Sequence, residues 1–138
     1  MCAQKEDWEE FLEEGRGFHR AALGGLKRPG VFTPALIQNI AAMGIEKYFM
    51  AIFSRRGLLP RNHAMRDLVE EARAFMPLPE TLEASLLYFD SLQNICSMDS
   101  FRITKPSDGD VERFVEAINQ VAALAERETG SRAAHNDL

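Results

Sequence analysis

Two cysteines, one tryptophan and three histidines in 138 residues leave little for disulfide, redox or metal chemistry to use. Cys2 and Cys96 make no Cys-x-x-Cys spacing, and a disulfide scaffold needs a denser framework. His19, His63 and His135 are scattered, so no metal-ligand spacing forms; no metal and no cofactor are expected. No apolar run approaches the ~20 residues that cross a bilayer. Met1, Cys2 and Ala3 lead straight into Gln4, Lys5, Glu6 and Asp7, with no signal-peptide core, so a cytoplasmic chain without a membrane partner is expected. Gly15-x-Gly17 and Gly24-Gly25 lack the strand–turn–helix setting of a phosphate loop, and no nucleophile elbow or paired-carboxylate signature occurs. Nothing alternates with the two-residue period of a strand.

What is present is helical periodicity almost throughout. Trp8, Phe11, Leu12, Phe18 and Ala22 recur at steps of three and four, which puts them on one face of a first helix. Gly24, Gly25, Pro29 and Gly30 are expected to break it. Thr33-Pro34 supplies a capping hydroxyl and a proline at the first helical position of a second helix. Running to about Arg56, that helix is roughly 35 Å long at the standard rise. It is apolar over much of its circumference, the pattern of a central helix.

Gly57 and Pro60 end it, and Asn62 is the expected cap of a third helix striped by Met65, Leu68, Ala72 and Phe75. After Pro77 and Pro79 a fourth helix carries Leu82, Leu86, Phe89, Leu92 and Cys96. Residues 97–108 read as irregular and polar. A fifth helix from about Asp110 carries Val111, Phe114, Val115, Ile118, Val121 and Ala125, and a frayed tail follows Gly130. The expectation is one all-α domain over 1–138: an up-and-down four-helix bundle with one additional short helix.

Charge is unevenly spread. The net charge is −5, and residues 5–14 hold six acids and one base. Lys47, Arg55, Arg56, Arg61, Arg66 and Arg73 then face only Asp67, Glu70 and Glu71 within 47–73. Arg55 and Arg56 suit the carboxyl end of a helix, where cations are favoured. Arg61 and Arg66 lie at the start of the next helix, where they are not, so they carry most of a phosphate-binding reading. The plainer alternatives are two solvated faces, or a contact that pairs the acidic and basic regions of two subunits.

The order of these elements resembles a HEPN domain, the small helical module found beside minimal nucleotidyltransferases and in toxin–antitoxin and RNA-processing systems. The resemblance rests on the Ala42-Met43-Gly44-Ile45-Glu46-Lys47-Tyr48-Phe49-Met50-Ala51 helix, the Gly57-Leu58-Leu59-Pro60 turn, Asn62-His63, and Asp67-Leu68-Val69. A Leu-rich fourth helix, an Arg102 loop and a last helix complete it, covering about residues 5–127. It implies a four- or five-helix bundle that commonly dimerises, and either metal-independent RNA cleavage or a non-catalytic role in binding a nucleotide, nucleic acid or partner protein. Cleaving members carry an Arg followed four to six residues later by His near the end of the fourth helix. Gln93 stands at that Arg position here, and no His follows before His135.

The expected function is therefore a non-catalytic, homodimeric domain that binds RNA, a nucleotide or a nucleotidyltransferase-type partner. Lys47, Arg61, His63, Arg66, Asn94 and Arg102 are the expected binding residues. One alternative is an atypical ribonuclease using Arg56 or Arg102 with His63; another is a plain dimeric interaction module. Glu46 and Lys47, mid-helix in an apolar segment, either form an ion pair to another helix or line a pocket. His19 reads as a half-buried edge residue, and Tyr48, Phe49 and Phe53 as core or dimer interface.

Overall fold

Helix-forming periodicity and caps account for most of what the computed structural model contains. It describes residues 7–61, 64–98 (side chains to 92) and 107–130, and among them there are five helices and no strand. These are α1 (Asp7–Leu26), α2 (Pro34–Arg55), α3 (Met65–Arg73), α4 (Glu80–Met98) and α5 (Asp108–Thr129). Cys2, Asn62, His63, Arg102 and His135 fall outside the described residues, as do the side chains of Asn94 and Cys96.

The ends of α2 are fixed locally. Thr33 Oγ1 accepts the Leu36 N–H at 3.1 Å, and Pro34 opens the helix. At the other end Gly57 N–H donates to Ser54 O at 3.0 Å and Leu58 N–H to Phe53 O at 2.8 Å. That paired pattern needs a left-handed residue, and Gly57 supplies it with φ 73°. Between these ends α2 is buried on most sides, from Ile37 to Phe53.

Four boundaries differ from the sequence expectation, each for a physical reason. α1 continues through Gly24 and Gly25 to Leu26; a Cβ on Gly25 would lie 2.7 Å from the Phe32 ring, so this glycine admits a neighbour instead of stopping the helix. α3 begins at Met65 behind Ala64, which gives no side-chain cap. Asp90 of α4 takes that role, accepting the Arg66 N–H at 3.4 Å. α4 persists to Met98, no Gly or Pro standing in its way before Pro106. α5 starts at Asp108 because Ser107 and Asp110 form a reciprocal capping box, with bonds of 3.1 and 2.9 Å.

α2 packs against α1, α5 and α3, while α4 packs against α3 and α5. Contacts give the directions: Glu14 meets Lys47 and Phe18 meets Gly44, so α1 and α2 are antiparallel. Asn119 meets His19 and Glu126 meets Arg16, so α5 also opposes α1. The main core joins Phe49, Ile52 and Phe53 of α2 to Leu68, Leu86, Phe89, Phe114 and Ile118. A smaller cluster of Ile37, Val111 and Val115 closes the far end under Phe32. No described helix is long and apolar enough to cross a membrane.

Candidate functional site

Among the described residues polar side chains gather in several places, two of which bear on function. The first is a seam where α1 and α5 meet over α2. Gly15 and Gly44 allow the close approach: a Cβ on Gly15 would lie 2.8 Å from the Tyr48 ring, and one on Gly44 2.6 Å from Ile118 Cδ1. Tyr48 is buried, and its hydroxyl lies 3.0 Å from His19 Nδ1. His19 Nε2 lies 2.6 Å from Asn119 Oδ1. With the Asn119 amide so oriented, its oxygen accepts, Nε2 carries the ring proton, and Tyr48 O–H donates to Nδ1. Arg16 and Glu126 pair at 3.5 Å along the same seam.

Burial pushes the Tyr48 phenol up to about 12; Arg16 and Arg20 pull it down and Glu126 adds to the rise. A phenol raised in the folded state favours folding below its ordinary pKa near 10 and loses that contribution as pH climbs through the folded value. The Tyr48 phenolate signal should therefore appear near pH 12, together with loss of helical circular dichroism. Tyr48→Phe should remove that signal; a phenolate step at Tyr48 near pH 10 in folded protein would contradict the geometry.

The seam ties three helices through one imidazole, and its chemistry is positional: both ring nitrogens are occupied by protein partners. Sequence reasoning placed His19 at a half-buried edge and Tyr48 in the core or a dimer interface, but Asn119 is 100 residues away from His19 and carried no local signal.

The second place is the outer edge of α3. Arg66 and Arg73 lie seven residues apart, two turns along one face. Arg66 Nε reaches Asp90 at 3.8 Å and Arg73 Nη1 reaches Glu83 at 3.2 Å, both carboxylates on α4. These side chains stay 64% and 56% exposed, so each guanidinium is anchored at one nitrogen while facing solvent. Arg61, exposed just before α3, donates its backbone N–H to Glu71 at 3.2 Å.

The other predicted site residues are distributed differently. Lys47 pairs with Glu14 of α1 at 3.1 Å and lies 5.6 Å from the Phe11 ring centroid, so it answers to α1 while Arg66 answers to α4. The acidic first helix thus meets the basic region within one chain at this contact. Arg56 donates to Glu128 at 2.6 Å and covers the Phe75 ring at 4.5 Å, while Arg55 lies over Trp8. Arg56 is thereby built into the joint between α2 and α5.

Among the described residues no group of three His, Cys, Asp or Glu could hold a metal ion. No protein-family model, curated protein or solved structure matches the chain.

Proposed function

We propose that the chain is a non-catalytic HEPN-like helical domain, an up-and-down bundle of α1, α2, α4 and α5 with α3 as the additional short helix. It binds the phosphates of RNA or a nucleotide along the outer edge of α3. The observation that supports this reading is the pair of exposed guanidiniums on Arg66 and Arg73, each held at one nitrogen by α4. A guanidinium fixed at one edge keeps further N–H donors in a fork suited to phosphate. Asp90 and Glu83 offset part of the charge, so binding is modest and salt-sensitive.

The test is anisotropy of labelled single-stranded RNA in EDTA, from about 50 to about 200 mM salt. Arg66→Ala/Arg73→Ala should weaken binding about tenfold and flatten the log–log salt slope by roughly 1.4, the loss of two phosphate contacts. Unchanged binding in that variant would sink the reading. Gels of the same samples should show intact RNA. Cleavage lost in His63→Ala would transfer support to the ribonuclease reading with Arg56 or Arg102.

A second reading, the homodimeric interaction module, draws on a different observation. Leu36, Ile40 and Met43 form an apolar strip on α2, with Leu36 and Met43 39% and 47% exposed. A second copy packed against this strip would cover it. Sedimentation of the same samples separates the readings: salt that moves only the monomer–dimer equilibrium favours this module. A nucleotidyltransferase-type partner would instead dock on the basic Arg61–Arg73 edge.

A further inference from the structure

A groove of about 530 Å³ lies between the start of α4 and the last turns of α5, remote in sequence from the Arg61–Arg73 edge. Its volume falls within the roughly 300–1,000 Å³ typical of small-molecule sites. Leu82, Ala123 and Leu124 line it beside the Pro77-Leu78-Pro79 turn, so most of its wall is apolar. The prolines restrict the backbone of one wall. Polar groups stand at Gln120 and Arg127, seven residues apart on α5 and therefore roughly 10 Å apart along its axis.

The charge at the Arg127 end decides what the groove suits. Arg127 Nε is 3.6 Å from Glu128 Oε2, a long contact, and its side chain is 62% exposed. The same carboxylate accepts a hydrogen bond from Arg56 Nη2 at 2.6 Å, a far closer contact. One carboxylate therefore serves two guanidiniums. This leaves local positive charge, with the terminal fork of Arg127 available to an incoming anion. Gln120 is turned along the helix, donating to Glu116 at 2.9 Å, and offers an amide rather than a second charge.

We propose that this groove binds a small amphipathic carboxylate, with its apolar chain or ring on Leu82, Ala123 and Leu124 and its carboxylate on the Arg127 guanidinium. The occupant is a monoanion of medium chain length, because the floor is apolar along about two turns and one cation closes it. An amine or neutral alcohol of equal length has the same apolar fit but no partner for Arg127.

Octanoate, octanol and octylamine, added to the full chain below their aggregation concentrations, test this by amide chemical-shift titration. Octanoate should give a saturable shift centred on Leu82, Ala123 and Leu124, at least tenfold tighter than either analogue. Arg127→Gln should remove that preference while leaving weak apolar binding. Ala123→Trp, a substitution at an exposed wall position, should fill the groove and abolish the shifts in a protein whose circular dichroism is unchanged. Equal binding of the three probes, octanoate binding that survives Ala123→Trp, or no saturable shift would each overturn the proposal. Shifts centred on α3 would do the same, since they would put the anion on the Arg61–Arg73 edge.

Discussion

Tyr48→Ala is expected to destabilise the protein by about 3–5 kcal/mol, the usual range for deleting a fully buried aromatic ring. Against a typical total of roughly 5–15 kcal/mol, that removes a large share of the stability. Two losses add. The ring leaves a cavity in the α1–α2 contact, and His19 loses the hydroxyl that donates to Nδ1. Gly15 makes the argument specific. A methyl there would sit 2.8, 3.0 and 3.1 Å from three Tyr48 ring carbons, and the ring is held by its bond to His19.

Gly15→Ala alone should therefore cost about 1–3 kcal/mol of overpacking, reduced by the better helix propensity of alanine. In the Tyr48→Ala background the same methyl enters empty space, so Gly15→Ala should be neutral or stabilising. Urea denaturation of the four proteins in this cycle gives a coupling energy, which should have the sign of a clash relieved. Additive single effects would mean that Gly15 is small for some reason other than the tyrosine.

Gly44→Ala should be the most damaging single methyl on α2, costing about 2–3 kcal/mol and lowering Tm by roughly 6–10 °C. Its Cβ would meet Ile118 Cδ1 at 2.6 Å, Phe18 Cβ at 3.0 Å and the Gly15 carbonyl oxygen at 3.5 Å. Ile118 could turn its terminal methyl aside, but it is fully buried, so the move has to be absorbed by the core around it. Phe18 Cβ is fixed to the α1 backbone, so relief there needs α1 to move off α2. Because Gly44 contacts α1 and α5 together, either adjustment disturbs a second interface. Thermal denaturation of Gly44→Ala beside Gly17→Ala, where a Cβ meets nothing within 4 Å, separates packing from propensity. Equal behaviour of the two would refute the three-helix contact as the cause.

The all-helical character was legible because apolar spacing at three and four residues is a local property. The centrality of α2 was legible too, since a helix apolar on most sides must be covered on most sides. Thr33-Pro34 and Gly57 announced its ends by local chemistry. Where a neighbour far along the chain decided the outcome, the sequence misled. Gly24-Gly25 looked like a break, yet Gly25 stays helical and makes room for Phe32. Asn62 looked like the α3 cap, yet Asp90 supplies the acceptor from α4.

The candidate sites divide in the same way. Arg61 and Arg66 stood out because positive charge at a helix start is locally unfavourable. The carboxylate that answers Arg66, Asp90 of α4, could be identified only after folding, and Glu71 meets the Arg61 backbone N–H. Lys47 was read together with them, but its partner Glu14 belongs to α1. The Tyr48–His19–Asn119 chain had no sequence signature, because none of its three members is unusual in its own helix.

The double duty of Glu128 has a mechanical consequence. Its Oε1 ties the Arg56 cap of α2 to α5 at 2.6 Å, while its Oε2 lies 3.6 Å from Arg127, its neighbour on the same helix. Losing Arg56 would part the two helix ends, whereas a molecule that draws Arg127 away removes only a long contact between neighbours. The joint beside Phe75 is thus a single rivet through Arg56, and the groove can fill without loosening it.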